Sequence, residues 1–220
     1  FNVCLQALFY IVRPFITDVM ITPQTFTQAL LDFFEKPGSD LRDPTQLLIK
    51  FAEFHPQFKL GQCHDAHEAL SMMLSLLKTD LTFVDRGPPD FSLVSQDSQS
   101  WWELYLRHNY NEISPVTDGQ LVRQYHCLKC KHSKDKIEHF TELSVPIPQA
   151  HNCTLHACIA AYFATTLVHD YICPSCATID TTTVSVKLTR SPSLLIVHLV
   201  RFSNIAKNET PVHMSLTQPI

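Results

Sequence analysis

Apolar residues recur at helical spacing through the first part of the chain. The predicted helices are ALFYIV (7–12), FTQALLDFF (26–34), TQLLIKFAEF (45–54) and DAHEALSMMLSLLK (65–78). Thr22 or Thr25 is placed to cap the second of these helices. Asp65 and Glu68 lie in the first turn of the last one, where negative charge favours the helix dipole.

The pattern changes at about residue 117 to short segments rich in Val, Thr and aromatic residues. The predicted strands lie in GQLVRQYHC (119–127), HFTELSVPIP (139–148), TTTVSVKL (181–188) and LLIVHLVRF (194–202). One helix, LHACIAAYFATTL (155–167), interrupts them, and the Pro- and Ser-rich segment 87–100 is predicted to be a loop. Helices followed by strands predict an α+β fold.

The composition narrows the class of protein. Of the 220 residues, 45% are hydrophobic and 17% charged, which favours a packed core over disorder. A formal net charge of −4 without runs of Lys or Arg argues against a nucleic-acid partner. A membrane association is not expected either, because no stretch of about 18 apolar residues occurs and the N-terminus lacks signal-peptide features.

Two C-x-x-C pairs, Cys127 with Cys130 and Cys173 with Cys176, carry the strongest local chemistry. Each turn directs two thiolates at one ion about 2.3 Å away, and two such turns complete a tetrahedral Cys₄ zinc site. Four sulfur ligands leave no position for water, so the predicted Zn²⁺ is structural. Four of the eight cysteines are used in this way, which favours reduced thiols and an intracellular location, in the cytoplasm or the nucleus.

Other assignments of these cysteines stay open at this point. Two reduced turns or a redox pair are possible, although a thioredoxin-like motif needs one C-x-x-C beside a βαβ unit. His151, Cys153, His156 and Cys158 are further candidates for metal ligands. Cys158 falls inside a helical pattern and is expected to pack, whereas His151 and Cys153 flank the predicted N-cap of that helix.

Four segments, in order along the chain, have the motifs of a known family. They are HPQFKLGQCHDAHEAL (55–70), GQLVRQYHCLKC with HFTELSVPIP (119–148), YICPSC (171–176) and SPSLLIVHLVRF (191–202). Together they resemble the ubiquitin-specific protease family of papain-like cysteine peptidases. The resemblance implies a helical thumb over 1–115, zinc-bearing β fingers over 116–190 and the start of a β palm over 191–220. It implies one catalytic domain that continues beyond both ends of this sequence.

The reaction implied by the resemblance is thiol hydrolysis of the bond after the C-terminal glycine of ubiquitin. Leu5-Gln6-Ala7-Leu8 and Asn2 match the family's cysteine box, which puts the expected nucleophile two positions before Phe1. The general base and the residue that orients it are expected beyond the Arg-Phe strand. No catalytic residue is therefore expected within the sequence. Ubiquitin or ubiquitinated proteins are the implied partners, and any regulatory subunits are not identified.

Asp65 matches the family aspartate that contacts the basic C-terminal tail of ubiquitin, and Glu68 could join the same acidic patch. The alternative role for Asp65 is a plain helix cap. Cys63-His64 and Cys4 are weaker candidates for a nucleophile. Neighbouring residues at a helix start do not face each other, and the Leu-Gln-Ala-Leu register argues against Cys4. His198, in an apolar strand, is expected to be structural.

Several positions depart from the family pattern. Cys63-His64 replaces Gln-Gln, Ala69 replaces Phe, Val200 replaces Lys, and ATTLVHD stands where Glu-Glu-Leu is common. These changes fit a divergent member with altered specificity or an inactive site. Three hypotheses follow: a deubiquitinating enzyme, a catalytically inactive relative that binds ubiquitin or scaffolds a complex, and a zinc-stabilised interaction module.

Overall fold

The computed structural model describes residues 4–6, 8, 25–35, 43–82, 87–93, 97–149, 153–179, 181–202 and 208–213. The chain forms two compact units, one of Phe1–Pro89 with Leu106–Val116 and one of Asp90–Tyr105 with Thr117–Ile220. None of the helices in the described ranges is long and apolar enough to cross a bilayer.

The first unit contains three of the four helices predicted in the first part of the chain, α1 (Phe26–Glu35), α2 (Thr45–Phe54) and α3 (Ala66–Asp80). Thr25 caps α1 through a hydrogen bond from the backbone N–H of Gln28 to its hydroxyl, 3.2 Å long. The other proposed cap, Thr22, lies outside the described residues, as does ALFYIV apart from Leu8, which is helical and buried.

Aromatic rings fill the centre of the first unit. The ring of Phe51 lies 5.6 Å from that of Phe26 and 5.0 Å from that of Phe58, measured between centroids. A polar contact joins α1 to α3, since the Asp80 carboxylate accepts hydrogen bonds from the backbone N–H and the hydroxyl of Thr27. The periodic apolar faces of these helices therefore meet in one core.

The loop prediction for 87–100 is wrong at several residues. Phe91–Leu93 forms a 3₁₀ turn, and helix α4 (Ser98–His108) begins inside the predicted loop. The Asp97 carboxylate accepts hydrogen bonds from the backbone N–H groups of Gln99 and Ser100, so the polar residues are a helix start. A second unpredicted helix is α5 (Ser114–Thr117).

Strands dominate the second unit. Its main sheet has the order β2-β1-β6-β5 with antiparallel pairs. The strands of this sheet are β1 (Gly119–Cys127), β2 (Ser133–Phe140), β5 (Thr166–Val168) and β6 (Thr182–Arg190). Two parallel pairs lie outside it: β3 (Glu142–Pro146) with β7 (Ile196–Val200), and β4 (Cys153–Thr154) with β8 (Val212–His213). Helix α6 spans Leu155–Phe163.

Three boundaries in this unit differ from the predictions. The strand predicted over 139–148 contains the end of β2 and all of β3. The helix predicted to reach residue 167 ends at Phe163, because Ala164 has extended backbone and β5 follows. Most of β2 was not predicted, since its sequence SKDKIEHF is mainly polar.

The core of the second unit lies against the sheet and α6. Its buried side chains are Leu121, Phe140, Leu143, Val145, Ile147, Cys153, Cys158 and Val186.

On β2, Glu138 forms salt bridges with Arg123 on β1 and with Lys136, at 2.7 and 2.6 Å. The predicted α+β class is confirmed.

A buried hydroxyl network lies beside β1. The Tyr105 hydroxyl donates to the Asp118 carboxyl group at 2.7 Å, and the Thr117 and Thr141 hydroxyls donate to its other oxygen. Asp118 is 1% exposed, and the Tyr105 ring stacks on His139 at 4.5 Å between centroids. Several donors therefore satisfy this buried carboxyl group.

Candidate metal centre and helix cap

The first C-x-x-C pair forms a tight turn between β1 and β2. Cys127 ends β1, and its carbonyl oxygen accepts a hydrogen bond from the backbone N–H of Lys131 at 2.9 Å. The backbone N–H of Cys127 donates to the carbonyl oxygen of His132, also at 2.9 Å. Lys131 has a φ of 62°, the left-handed conformation that reverses the chain after the second cysteine.

The second pair repeats this geometry with different residues. The backbone N–H of Ala177 donates to the carbonyl oxygen of Cys173, and the backbone N–H of Cys173 donates to that of Thr178, both at 2.9 Å. Ala177 has a φ of 52°. The same two hydrogen bonds and the same left-handed position define both turns as knuckles of one type.

The two knuckles bring their four sulfurs into one cluster. The Sγ atoms of Cys127, Cys130, Cys173 and Cys176 lie within 4.8 Å of one another. The Cys127–Cys176 and Cys130–Cys173 sulfur pairs, each joining the two knuckles, are both 3.7 Å apart. A tetrahedron with Zn–S bonds of 2.3 Å has sulfur–sulfur edges of about 3.8 Å. The donor set and its dimensions therefore fit Zn²⁺.

The pKa values of these thiols differ although the groups are adjacent. The backbone N–H of Cys130 holds the pKa of Cys127 at about 5, and the hydroxyl and backbone N–H of Thr178 lower that of Cys176. The backbone N–H of His132 favours the thiolate of Cys130, but desolvation and the neighbouring thiols outweigh it and raise its pKa to about 11. Each knuckle thus stabilises one thiolate by itself, and a cation would favour ionisation of the others.

The other candidate ligands lie elsewhere. The sulfurs of Cys153 and Cys158 are 3.4 Å apart in the core of the second unit, and His156 is exposed on α6. His151 lies outside the described residues. Among the described residues, the four knuckle cysteines form the one group of three or more metal-ligating side chains.

Asp65 is the N-cap of α3. Its Oδ1 accepts hydrogen bonds from the backbone N–H groups of His67 at 2.7 Å and Glu68 at 3.4 Å. Asp65 and Glu68 are both exposed at the start of the helix. The cap therefore uses one carboxylate oxygen, Oδ1, for both hydrogen bonds.

The N-terminal helical residues pack beside this cap. Cys4 is 2% exposed, and its thiol donates to the carbonyl oxygen of Ala66 at 3.2 Å. Burial raises the pKa of Cys4, which favours the neutral thiol over the nucleophilic thiolate. Leu5 and Leu8 are buried with it. Cys4 therefore fastens this helical segment to the beginning of α3.

The neighbouring Cys63 and His64 do not form a dyad in this geometry. The His64 Nε2 accepts a hydrogen bond from the backbone N–H of Lys59 at 3.0 Å, and its ring lies 5.1 Å from that of Phe58. Cys63 is exposed. His64 thus closes the turn that leads to Asp65.

His198 lies on β7, opposite Ser144 on β3, and their Nδ1 and Oγ atoms are 3.1 Å apart. Two residues near the four knuckle sulfurs were not predicted from the sequence. They are Thr178 and Thr181, whose hydroxyl oxygens contact the sulfurs of Cys176 and Cys127. The signal that could have found them is the threonine-rich segment directly after the second C-x-x-C pair.

Comparison with known proteins places these features in context. The profile of the family described as "Ubiquitin carboxyl-terminal hydrolase" matches residues 1–218. Ubiquitin carboxyl-terminal hydrolase 4 of Eremothecium gossypii is 28% identical over 178 residues, which cover 74% of this chain and 21% of the relative. Ubiquitin carboxyl-terminal hydrolase Usp2 of Drosophila melanogaster is 28% identical over 167 residues, covering 73% and 18%. The chain thus spans about a fifth of these relatives.

Solved structures share the fold. A SAGA deubiquitinating module of Ubp8, Sgf11, Sus1 and Sgf73 bound to monoubiquitin matches with a TM-score of 0.68 and 18% identity, over 96% of this chain and 49% of that chain. The corresponding module bound to ubiquitin aldehyde matches with a TM-score of 0.61 and 17% identity, over 97% and 45%. The chain spans about half of the matched chains.

Proposed function

Because the chain belongs to the ubiquitin carboxyl-terminal hydrolase family, we propose that the protein containing it is a thiol hydrolase that cleaves the bond after the C-terminal glycine of ubiquitin. The observation that carries the proposal is the family match across residues 1–218, with motifs in the same order as the folded elements. The division into thumb over 1–115, fingers over 116–190 and palm over 191–220 is part of the same proposal.

The proposed reaction begins at a cysteine two positions before Phe1. Its thiolate attacks the carbonyl carbon of the terminal glycine, a histidine beyond the Arg-Phe strand passes a proton to the leaving amine, and water then hydrolyses the thioester. A helix N-terminus lowers the pKa of a cysteine placed there. The support in this chain is the buried thiol of Cys4, which donates to the carbonyl oxygen of Ala66 and so holds the N-terminal helical segment against the start of α3.

Reaction with a ubiquitin derivative that carries a C-terminal electrophile tests this proposal. The intact protein should form a stoichiometric covalent adduct, and mutation of the cysteine two positions before Phe1 to alanine should abolish it. Ubiquitin binding without an adduct, or a residue other than cysteine at that position, would refute the enzyme and establish the inactive relative that binds ubiquitin. A protein that neither reacts with ubiquitin nor binds it would overturn both.

Asp65 is the proposed contact for the basic C-terminal tail of ubiquitin, and Glu68 adds negative charge one turn into the same helix. The support is geometric, because Asp65 is exposed and both cap bonds are accepted by the same carboxylate oxygen, Oδ1. A hydrogen bond to a charged partner is worth about 1.5–3 kcal/mol. Such a loss corresponds to roughly a 10- to 100-fold change in affinity.

Asp65→Asn separates binding from capping, since asparagine retains an oxygen that caps the helix but carries no charge. We expect ubiquitin affinity to fall roughly 10-fold or more, while the free energy of unfolding changes little. Asp97→Asn is a control for loss of charge at a helix start. Asp97 caps α4 with both carboxylate oxygens, which accept from the backbone N–H groups of Gln99 and Ser100, and its change should leave ubiquitin affinity unaltered. Unchanged ubiquitin affinity in Asp65→Asn would confine Asp65 to capping.

The proposed metal is a structural Zn²⁺, and its four ligands are the thiolates of Cys127, Cys130, Cys173 and Cys176. When bound, the ion neutralises thiolate charge and cross-links the two knuckles. Metal analysis of the purified protein should give about one zinc per chain. Cys127→Ser and Cys173→Ser should each destabilise the β-rich unit. A well-folded protein without zinc would refute the metal centre.

A further inference from the structure

Two threonines connect the knuckles through their backbone. They lie between the second knuckle and β6, in the segment after Cys176. The carbonyl oxygen of Thr178 accepts from the backbone N–H of Cys173 at 2.9 Å, and the carbonyl oxygen of Thr181 accepts from the backbone N–H of Leu128 at 2.7 Å. One threonine therefore holds each knuckle, and we call Thr178 and Thr181 the threonine pair.

The hydroxyl groups of the threonine pair reach one sulfur of each knuckle. The Thr178 Oγ1 lies 2.9 Å from the Sγ of Cys176, and the Thr181 Oγ1 lies 3.5 Å from the Sγ of Cys127. The two hydroxyl oxygens are 3.1 Å apart. A continuous polar path thus runs from the sulfur of one knuckle to the sulfur of the other.

The number of hydroxyl protons limits how many of these contacts can be hydrogen bonds at one time. Metal-bound thiolates can only accept, so the three contacts share the two hydroxyl protons. The shortest contact, to Cys176, takes the proton of Thr178. The proton of Thr181 is then shared between the Thr178 oxygen at 3.1 Å and the Cys127 sulfur at 3.5 Å. Both protons therefore stabilise charge on the sulfur cluster, directly or through Thr178.

Two effects of such hydrogen bonds on metal affinity oppose each other. Donation to a sulfur reduces its donor strength, but it also orients the sulfur and compensates its charge outside the metal bond. The second effect is the larger one in characterised sites, where loss of an outer partner costs about 10- to 100-fold in metal affinity. Cys127 is 1% exposed, so bulk water does not replace a lost hydroxyl there.

We propose that the threonine pair forms the outer shell of the metal centre, holding the Cys176 and Cys127 thiolates in place and slowing loss of the ion. The inference rests on the proposed zinc centre. It assigns to Thr178 and Thr181 a positioning role that the C-x-x-C motif does not contain. The backbone contacts of the pair do not depend on the side chain, so substitution isolates the hydroxyl groups.

The test uses the zinc-loaded intact protein and measures zinc affinity by chelator competition and zinc release in excess chelator. Thr178→Val with Thr181→Val removes both hydroxyls, and we expect about a 10- to 100-fold loss of affinity with faster release. The single change Thr178→Val should cause more of this loss in zinc affinity than Thr181→Val, because it removes the shortest contact. Thr178→Ser with Thr181→Ser keeps both hydroxyls and should bind close to the unaltered protein.

Thr183→Val is the matched control. The hydroxyl of Thr183 contacts the carbonyl oxygen of His126 at 3.4 Å, so its loss should leave zinc affinity unchanged. If the double valine variant does not fold, the zinc affinity of Thr178→Val alone tests the proposal. Equal zinc affinity in folded Thr178→Val and unaltered protein would overturn the outer-shell role while leaving the zinc centre intact. An unaltered protein that binds no zinc would instead overturn the centre itself.

Discussion

Gly119 starts β1 in a space that has no room for a side chain. A Cβ atom at this position would lie 2.5 Å from the Cζ of Phe140 and 2.7 Å from the carbonyl oxygen of Arg190. Carbon atoms pack best at about 3.5–4.0 Å. Phe140 is the cross-strand partner of Gly119, so its ring covers the glycine directly. We therefore expect Gly119→Ala to destabilise the second unit.

The magnitude follows from two opposing terms. Overpacking a core position costs about 1–3 kcal/mol, and the upper half of that range applies because the Arg190 carbonyl belongs to the backbone and cannot rotate away. Replacing glycine inside a strand recovers about 0.5–1 kcal/mol. The net loss in free energy of unfolding is about 1–2.5 kcal/mol, which corresponds to a fall in Tm of about 2–10 °C for a chain of this size.

Urea denaturation and thermal unfolding followed by circular dichroism measure this loss. In a Phe140→Leu background the cost of Gly119→Ala should fall by about 1 kcal/mol, since the smaller side chain relieves the ring contact. Gly87→Ala is the comparison: Gly87 has a φ of 67° and open space around it, so its cost should not depend on Phe140. A Gly119→Ala protein as stable as the original would refute the steric argument, and an unchanged cost without the Phe140 ring would exclude the ring as its cause.

Three further predictions follow from local geometry. Ala177→Gly should raise the free energy of unfolding by about 0.5–1 kcal/mol in urea denaturation, because glycine relieves left-handed strain that exceeds its entropic cost. Partial burial raises the pKa of Glu138, but its two basic partners outweigh burial and lower the pKa. The stability that these ion pairs contribute should therefore be present above about pH 4.5 and be lost as the pH falls below that value. Glu138→Gln should remove less than about 1 kcal/mol of this acid dependence, as measured by denaturation at several pH values. Tyr105→Phe should cost about 1–3 kcal/mol by thermal unfolding, since Asp118 loses a buried donor.

Each of these has a control or a reference protein. Lys129 lies in the first knuckle but does not have a positive φ, so Lys129→Gly should lower the free energy of unfolding. An equal decrease in Ala177→Gly would contradict the strain argument. For Glu138→Gln the reference is the unaltered protein, and the same acid profile in both would count against a role for the ion pairs of β1 and β2. Tyr110→Phe, at a residue that is 61% exposed, should cost less stability than Tyr105→Phe at its buried position, and equal losses would remove the role of the Tyr105 hydroxyl.

Local periodicity was enough to predict the elements whose own sequence carries an apolar face. Helices α2 and α3 and strand β1 have nearly the predicted bounds, because spacing of 3.6 or two residues puts their apolar side chains on one side. Strand β2 lacks this signal. Its polar residues are held by the register with β1, where Ser133 pairs with His126 and Phe140 with Gly119, so only the folded sheet specifies it.

Helix α4 is a second element whose own sequence does not predict it. Its first residues are Ser and Gln, which by composition indicate a loop, and the cap at Asp97 is a short-range signal that was not recognised. The burial of Trp101 and Tyr105 stabilises the helix, since Trp101 stacks on Phe91 at 4.3 Å and Tyr105 on His139 at 4.5 Å. These ring contacts join segments that are separate in sequence.

The candidate metal site divides in the same way. Cysteine spacing favoured Cys127, Cys130, Cys173 and Cys176 as the ligands of one ion, because a C-x-x-C turn is local and its geometry is set by three peptide bonds. The distance between the two knuckles is not local: 42 residues separate them, and only the pairing of β1 with β6 brings the sulfurs to 3.7 Å. Thr178 contacts the sulfur of Cys176 two residues before it, which is local to the second knuckle, whereas only the tertiary structure brings Thr181 to the sulfur of Cys127 in the first knuckle.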